Sequence, residues 1–141
     1  MLALRSLVLS AAVLAAHCLT VEAASQVTAR QWLAVAQAAY GSASDISLTE
    51  WQSYNGAMVI PNKPAAAVAL LADAKMLLDD GEAFLAASGK ALNEARNCLN
   101  RENYLACEFY AELCQIQADN AIDRYCQASA KIEAARRLLG Q

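Results

Sequence analysis

The sequence predicts an all-α protein: a long antiparallel helical hairpin with short N-terminal helices packed on it, forming a three- to four-helix bundle stabilised by disulfides. Leucine recurs every seven residues from Leu71 to Leu99, which is typical of one face of a long helix. A second seven-residue pattern follows a short polar interruption. Four cysteines lie in the part of the chain that carries these two patterns.

The first 23 residues have the pattern of a cleavable signal peptide. Arg5 precedes an apolar stretch from residue 7 to residue 19, and Val21 and Ala23 are small residues at the positions that a signal peptidase reads. The stretch is shorter than the roughly 20 residues of a membrane-spanning helix. The sequence therefore predicts cleavage after Ala23, no membrane span in the mature chain, and a secreted or periplasmic location.

Cleavage would also change which reactive side chains the chain contains. It would remove His17, the only histidine, and Cys18, the odd cysteine. The mature chain would keep Cys98, Cys107 and two further cysteines, Cys114 and Cys126. An even set of cysteines in an exported chain indicates disulfides.

Residues 24–63 are expected to form two short helices and a proline-containing linker. Capping boxes at 28–31 and 47–50 predict the two helix starts, while Gly41 and the Asn55-Gly56 pair predict the ends. The linker follows at 57–63, because Pro61 and Pro64 exclude a helix between them.

Residues 64–141 are expected to form the hairpin and to make a single domain with 24–63. Small residues accompany the leucine pattern of the first segment and the pattern of the second, so the two helices are expected to approach closely. Each segment has about 36 residues and would be about 54 Å long at 1.5 Å per residue. The small residues are Ala74, Gly81, Ser88 and Ala95 in the first segment and Cys107, Cys114, Ala121, Ala128 and Ala135 in the second.

A turn near residues 101–104 would place Cys98 opposite Cys107, so the favoured disulfides are Cys98–Cys107 and Cys114–Cys126. The second of these requires a break in the last helix near Asp119, because residues 114 and 126 are otherwise about 18 Å apart and a disulfide needs Cα atoms within about 7 Å. Cys98–Cys114 with Cys107–Cys126, or intermolecular disulfides from Cys114 or Cys126, remain alternatives. Continuity of the helix over 103–139 stays open at this point.

Fewer than 40 N-terminal residues are expected to cover so long a hairpin only in part. Either the long helices break and fold back, or part of the hairpin stays open for a partner. The aromatic residues of the second long helix are expected mainly to pack against the N-terminal helices, with a contact surface or an apolar ligand groove as the alternative. They are Tyr104, Phe109, Tyr110 and Tyr125.

The residue inventory argues against most enzyme classes. Without histidine, a serine or cysteine nucleophile lacks its usual base, and the cysteine spacings do not fit a zinc site. Acidic groups at Asp79 to Glu82, and at the pairs Glu108/Glu112 and Asp119/Asp123, are expected to be a solvated face rather than a weak calcium site. The formal charge of −3 does not favour nucleic acid. We expect no catalytic residue, cofactor or metal.

These observations predict an exported, non-enzymatic helical scaffold or protein-interaction module, with a protein partner or self-association. The alternative is a carrier that binds a lipid or another apolar ligand between its helices.

Overall fold

The computed structural model describes the backbone of residues 2–141 and the side chains of residues 25–141. It contains three helices, α1 (Leu2–Met58), α2 (Ala65–Asn100) and α3 (Tyr104–Leu138). No strand occurs in the described backbone, so the all-α class is confirmed. The predicted signal peptide, residues 1–23, lies outside the residues whose side chains are described.

The described parts of the helices form an up-down-up bundle. α2 and α3 are antiparallel, because Lys131 pairs with Asp73 at 3.3 Å near one end and Ser88 Oγ donates to the Cys114 carbonyl at 2.8 Å further along. α1 runs parallel to α3. Its Ala29 carbonyl accepts from the Cys107 thiol. Near the other end of the bundle, Arg136 of α3 donates to the Ser53 carbonyl of α1.

Columns of small side chains with seven-residue spacing build the core. Such spacing on all three helices is that of a left-handed coiled coil, in which small residues let neighbouring backbones approach closely. The larger core side chains, among them Leu71, Leu78, Tyr125 and Ile132, fill the space between these columns. The columns are Ala29, Ala36, Ala43 and Ala57 on α1, Ala67, Ala74, Gly81, Ser88 and Ala95 on α2, and Cys107, Cys114, Ala121, Ala128 and Ala135 on α3.

The prediction of two short N-terminal helices is wrong, because α1 continues through Gly41 and through Asn55-Gly56. A glycine inside a helix costs about 1 kcal/mol relative to alanine. Ala36 and Ala43 are fully buried on either side of Gly41, and burial along the described part of the helix offsets that cost. The described part of α1 therefore lies along the hairpin as a third long helix instead of crossing it in short pieces.

The two connections are short and contain the two non-glycine residues with positive φ in the described chain, Asn62 (54°) and Glu102 (60°). In the first, Lys63 Nζ donates to the carbonyls of Met58 and Ile60 at the end of α1. In the second, the Asn103 side chain accepts from the Ala106 amide at 3.2 Å and begins α3. We call the end of the bundle that carries this second connection the turn end.

Both helices of the hairpin are continuous. α2 passes through Gly81 and Gly89, and α3 passes through Asp119 and Asn120 without the break that a Cys114–Cys126 disulfide requires. Among the residues that the structure describes, no helix has an apolar stretch long enough to cross a bilayer.

Candidate functional site

The four cysteines of the described chain are free thiols, so the structure forms none of the predicted disulfides. Cys98 and Cys107 belong to the two sides of the turn, but Cys107 points its thiol at the Ala29 carbonyl of α1, at 3.7 Å. Cys114 points in the same direction, at the Ala36 carbonyl, at 3.5 Å. Cys126 is exposed on the outside of α3. The sequence predicted that these cysteines bond to one another, because it did not reveal that α1 packs against α3 and faces the Cys107 and Cys114 thiols.

Buried thiols at Cys107 and Cys114 are poor nucleophiles. Burial raises the pKa of each thiol above its ordinary value, and for Cys107 the nearby Cys98 and Glu108 add to the effect. For Cys114 a hydrogen bond with Ser88, at 3.2 Å between Oγ and Sγ, acts in the opposite direction but is the smaller influence. Since the thiolate is the reactive form, both side chains are suited to packing.

One carboxylate, Glu82 on α2, joins all three helices. Its Oε1 accepts hydrogen bonds from Ser47 Oγ, from Trp51 Nε1 at 3.2 Å and from Tyr125 OH at 3.0 Å. We call these four residues the Glu82 cluster. Ser47 and Trp51 lie one turn apart on α1, while Tyr125 comes from α3. The cluster satisfies the polar groups of its own four residues where the three helices meet, and it fixes the register of the helices.

Tyr125 is fully buried, and the absence of a side chain at Gly81 makes room for its ring. A Cβ at position 81 would lie 2.4 Å from the Tyr125 Cε1 atom. Burial, together with the hydrogen bond to Glu82 and the negative charge of that carboxylate, raises the pKa of Tyr125 to about 12, although Ser47 acts in the opposite direction. The phenol is therefore a hydrogen-bond donor at any physiological pH.

An open groove of about 700 Å³ lies at the turn end, between α1 and the first turns of α3. We call it the turn-end groove. Its aromatic residues are Trp32 from α1 and the pair Phe109 and Tyr110 from α3, whose rings meet edge to face at 5.3 Å. The complete lining is Trp32, Asn103, Leu105, Ala106, Glu108, Phe109, Tyr110 and Glu112.

The groove exposes large apolar side chains that the core does not use. Leu105 is 81% exposed, Phe109 61% and Trp32 39%. The aromatics of the last helix were expected mainly to pack against the N-terminal helices. Tyr125 is fully buried, and Tyr104 and Tyr110 are partly buried against a core that includes alanines of α1, whereas Phe109 is exposed. The acidic pair Glu108 and Glu112 supplies the charged side chains of the lining.

Unlike Glu82, which was expected on the same solvated face, the remaining acidic candidates Asp79, Asp80, Asp119 and Asp123 are all exposed. Asp79 pairs with Lys75 at 2.7 Å, and Asp123 accepts from Gln127 Nε2 at 2.7 Å. Within the described side chains, no three histidine, cysteine or acidic residues are close enough together to hold a metal ion.

Sequence reasoning missed the Glu82 cluster because it needs three helices at once. A signal was nevertheless present. Ala29, Ala36 and Ala43 share the seven-residue spacing of the hairpin, and Ser47 and Trp51 follow on the same helix. Read as one helix, that spacing would have indicated an α1 that pairs with the hairpin along its length.

Comparison of the chain with protein-family models, with curated proteins and with solved structures finds no match.

Proposed function

We propose that this chain is an exported, non-enzymatic helical interaction module, and that the turn-end groove is its binding surface. The observation that carries the proposal is the cluster of exposed Trp32, Leu105 and Phe109 at one end of the bundle. Aromatic side chains are enriched in the centres of protein interfaces, and exposed apolar patches mark such sites.

The structure of the core supports this assignment of the groove. Small residues, with Tyr125 and a few aliphatic side chains, fill the space between the three helices. Phe109 and Leu105 point away from that space and contribute little to it. Their exposure lowers the solubility of the protein and does not stabilise its fold. This is expected for a surface that another molecule covers.

The polar groups of the interior support a non-enzymatic role. Glu82 already accepts three hydrogen bonds, and the pKa values of Cys107 and Cys114 are raised by burial. A general base needs a free acceptor and a nucleophile needs a lowered pKa. These three groups have neither property and act as packing and register elements.

Export is part of the proposal because of the predicted signal peptide. Cleavage after Ala23 would leave a chain that begins at Ala24, five residues before Ala29, the first fully buried residue described on α1. Every residue whose side chain is described would then survive processing.

A carrier for a lipid or another apolar ligand is the second candidate. The observation that favours it is the size of the groove, about 700 Å³, which falls within the range of small-molecule sites. The groove is open and one-sided, however, whereas carriers enclose most of the surface of their ligand.

Two measurements on the purified exported protein separate these candidates. Sedimentation should detect self-association or a bound protein partner, and native mass spectrometry should detect a retained small ligand. A Phe109→Ala variant should weaken the association seen for the parent protein. Leu48→Ala should not, because Leu48 is as exposed as Phe109 but lies about 24 Å along α1 from Trp32, the groove residue of that helix. A compact monomer without any protein partner would contradict the interaction module. A stoichiometric apolar ligand would favour the carrier.

A further inference from the structure

We infer that the partner of the turn-end groove is a basic amphipathic helix of another protein. This inference rests on the proposed function and names the chemistry of its partner. It follows from the shape of the exposed apolar surface, from the negative charge around it and from the ion pairs that the chain's own basic residues already form.

The exposed apolar surface has the shape of a helix-binding stripe. Leu105, Phe109 and Ile116 are 81%, 61% and 49% exposed, and they stand at positions i, i+4 and i+11 on α3. Such positions lie along one face of a helix. The stripe is about 16 Å long at 1.5 Å per residue, and Trp32 faces it from α1 across the groove. A partner helix of about three turns would fit alongside, with its own apolar side chains inserted at matching intervals.

The charges around the stripe are negative. Glu108 and Glu112 line the groove, and Glu112 lies on the stripe between Phe109 and Ile116. Asp119 and Asp123 continue the same exposed side of α3. A partner with lysine or arginine beside its apolar face would be attracted to this surface, and an acidic one would be repelled.

A second copy of this chain is a poorer match than a separate basic helix. Three of its cations already form ion pairs within the same chain, on its surface: Lys75 with Asp79, Lys131 with Asp73, and Arg137 with Glu133. Each copy also has a formal net charge of −3, so two copies would bring like net charges together, whereas a basic helix would be attracted.

The test uses two synthetic peptides of about 18 residues with the same leucine face. One carries lysine on its polar face, the other glutamate, and each has a fluorescent label for anisotropy titration against the full protein. We expect the lysine peptide to bind at least about tenfold more tightly than the glutamate peptide, with an affinity that falls as salt rises. Equal binding of both peptides would overturn the inference.

Matched variants locate the binding. Phe109→Ala and Leu105→Ser should each weaken binding of the lysine peptide about tenfold, and they provide two independent changes at exposed positions in case one of them impairs folding. The double change Glu108→Gln and Glu112→Gln should weaken binding about fivefold and flatten its salt dependence. Leu48→Ala and Asp80→Asn, away from the groove, should leave it within about twofold. An unchanged affinity in the double variant would overturn the inference.

Other occupants give distinct results. Displacement of the peptide by neutral phosphatidylcholine vesicles, with loss of vesicle binding in Phe109→Ala, would indicate a lipid and contradict both the inference and the interaction module. Phe109-dependent self-association without peptide binding would contradict the inference alone. In that case the groove would still be an interaction surface, but its occupant would be a second copy.

Discussion

At the scale of single residues, Gly81 is the described glycine that leaves the least room for a side chain, because the Tyr125 ring occupies the space where a Cβ would lie. The seven-residue pattern on α2 correctly placed Gly81 on the inner face of the hairpin. It did not indicate that an aromatic ring occupies the space, because the direction of the Tyr125 side chain depends on its hydrogen bond to Glu82 from a neighbouring helix.

Two glycine substitutions should have opposite effects on stability. Gly81→Ala should destabilise the protein by about 1 to 3 kcal/mol, because the new methyl group overlaps the Tyr125 ring and the gain in helix propensity is smaller. Gly41→Ala should stabilise it by about 0.5 to 1 kcal/mol, because nothing beyond the adjacent residues and the local helix backbone lies within 4 Å of the new Cβ. Urea denaturation monitored by circular dichroism measures both. A stabilised Gly81→Ala variant would contradict the packing described for Tyr125.

The raised pKa of Tyr125 makes stability depend on alkaline pH. In the unfolded chain the phenol titrates near 10, while in the folded protein it keeps its proton up to about 12. Between these values the unfolded state binds fewer protons than the folded state, so stability should fall as pH rises, by up to about 1.4 kcal/mol per pH unit. Below pH 10 the contribution is fully present.

Tyr125→Phe should remove this part of the pH dependence. The variant loses the hydrogen bond to Glu82 and should start from a lower stability, by about 1 kcal/mol, but its stability should fall less steeply from pH 10 to about 12. Denaturation curves of the two proteins at several pH values supply the comparison. A parallel decline of stability with pH in both proteins would mean that other groups, such as the buried thiols, cause the pH dependence.

At the scale of helices, α1 is where local sequence signals and tertiary packing disagree. Gly41, the polar residues after it and the Asn55-Gly56 pair are all typical of helix ends. The free-energy cost of these residues within a helix is small compared with the stabilisation gained by burying the alanine column of α1. Two separate helices of about a dozen residues would each be only marginally stable without that burial. The hairpin was predictable because its two patterns are long and regular; α1 was not, because its pattern is interrupted at Glu50.

Amide hydrogen exchange distinguishes one helix from two. We expect the amides of residues 39–46 to be protected to a similar degree as those of residues 30–38, since both stretches lie within one helix of the bundle. Rapid exchange confined to residues 41–46 would contradict a continuous α1 and would support the two short helices that the capping boxes predicted.

The cysteines of α3 allow a second test at this scale. Cys126 is exposed and should react rapidly with a thiol reagent in the native protein, whereas buried Cys107 and Cys114, with raised pKa values, should react only as the bundle opens. Peptide mapping after timed alkylation gives the order of reaction. Cysteines that stay unreactive in denaturant without reductant would instead be disulfide-bonded, contrary to the structure.

At the scale of the whole molecule, columns of small residues on the three helices build the core of the described bundle, and exposed apolar side chains lie at its turn end. The sequence predicted the helical class and the hairpin, and it left open whether part of the hairpin would remain uncovered. The position of the uncovered part could not be read from the chain, because it depends on how α1 lies along α3 and so on which side Trp32 faces.

The central claim is that this uncovered end binds another protein, and photo-crosslinking in the producing cell tests it most directly. A photoreactive phenylalanine analogue at position 109 should yield a protein adduct of defined mass, while the same analogue at position 48, which is equally exposed but remote from the groove, should not. Adducts at 109 that are absent at 48 would support the account. No protein adduct at 109, or the same adducts at both positions, would contradict it.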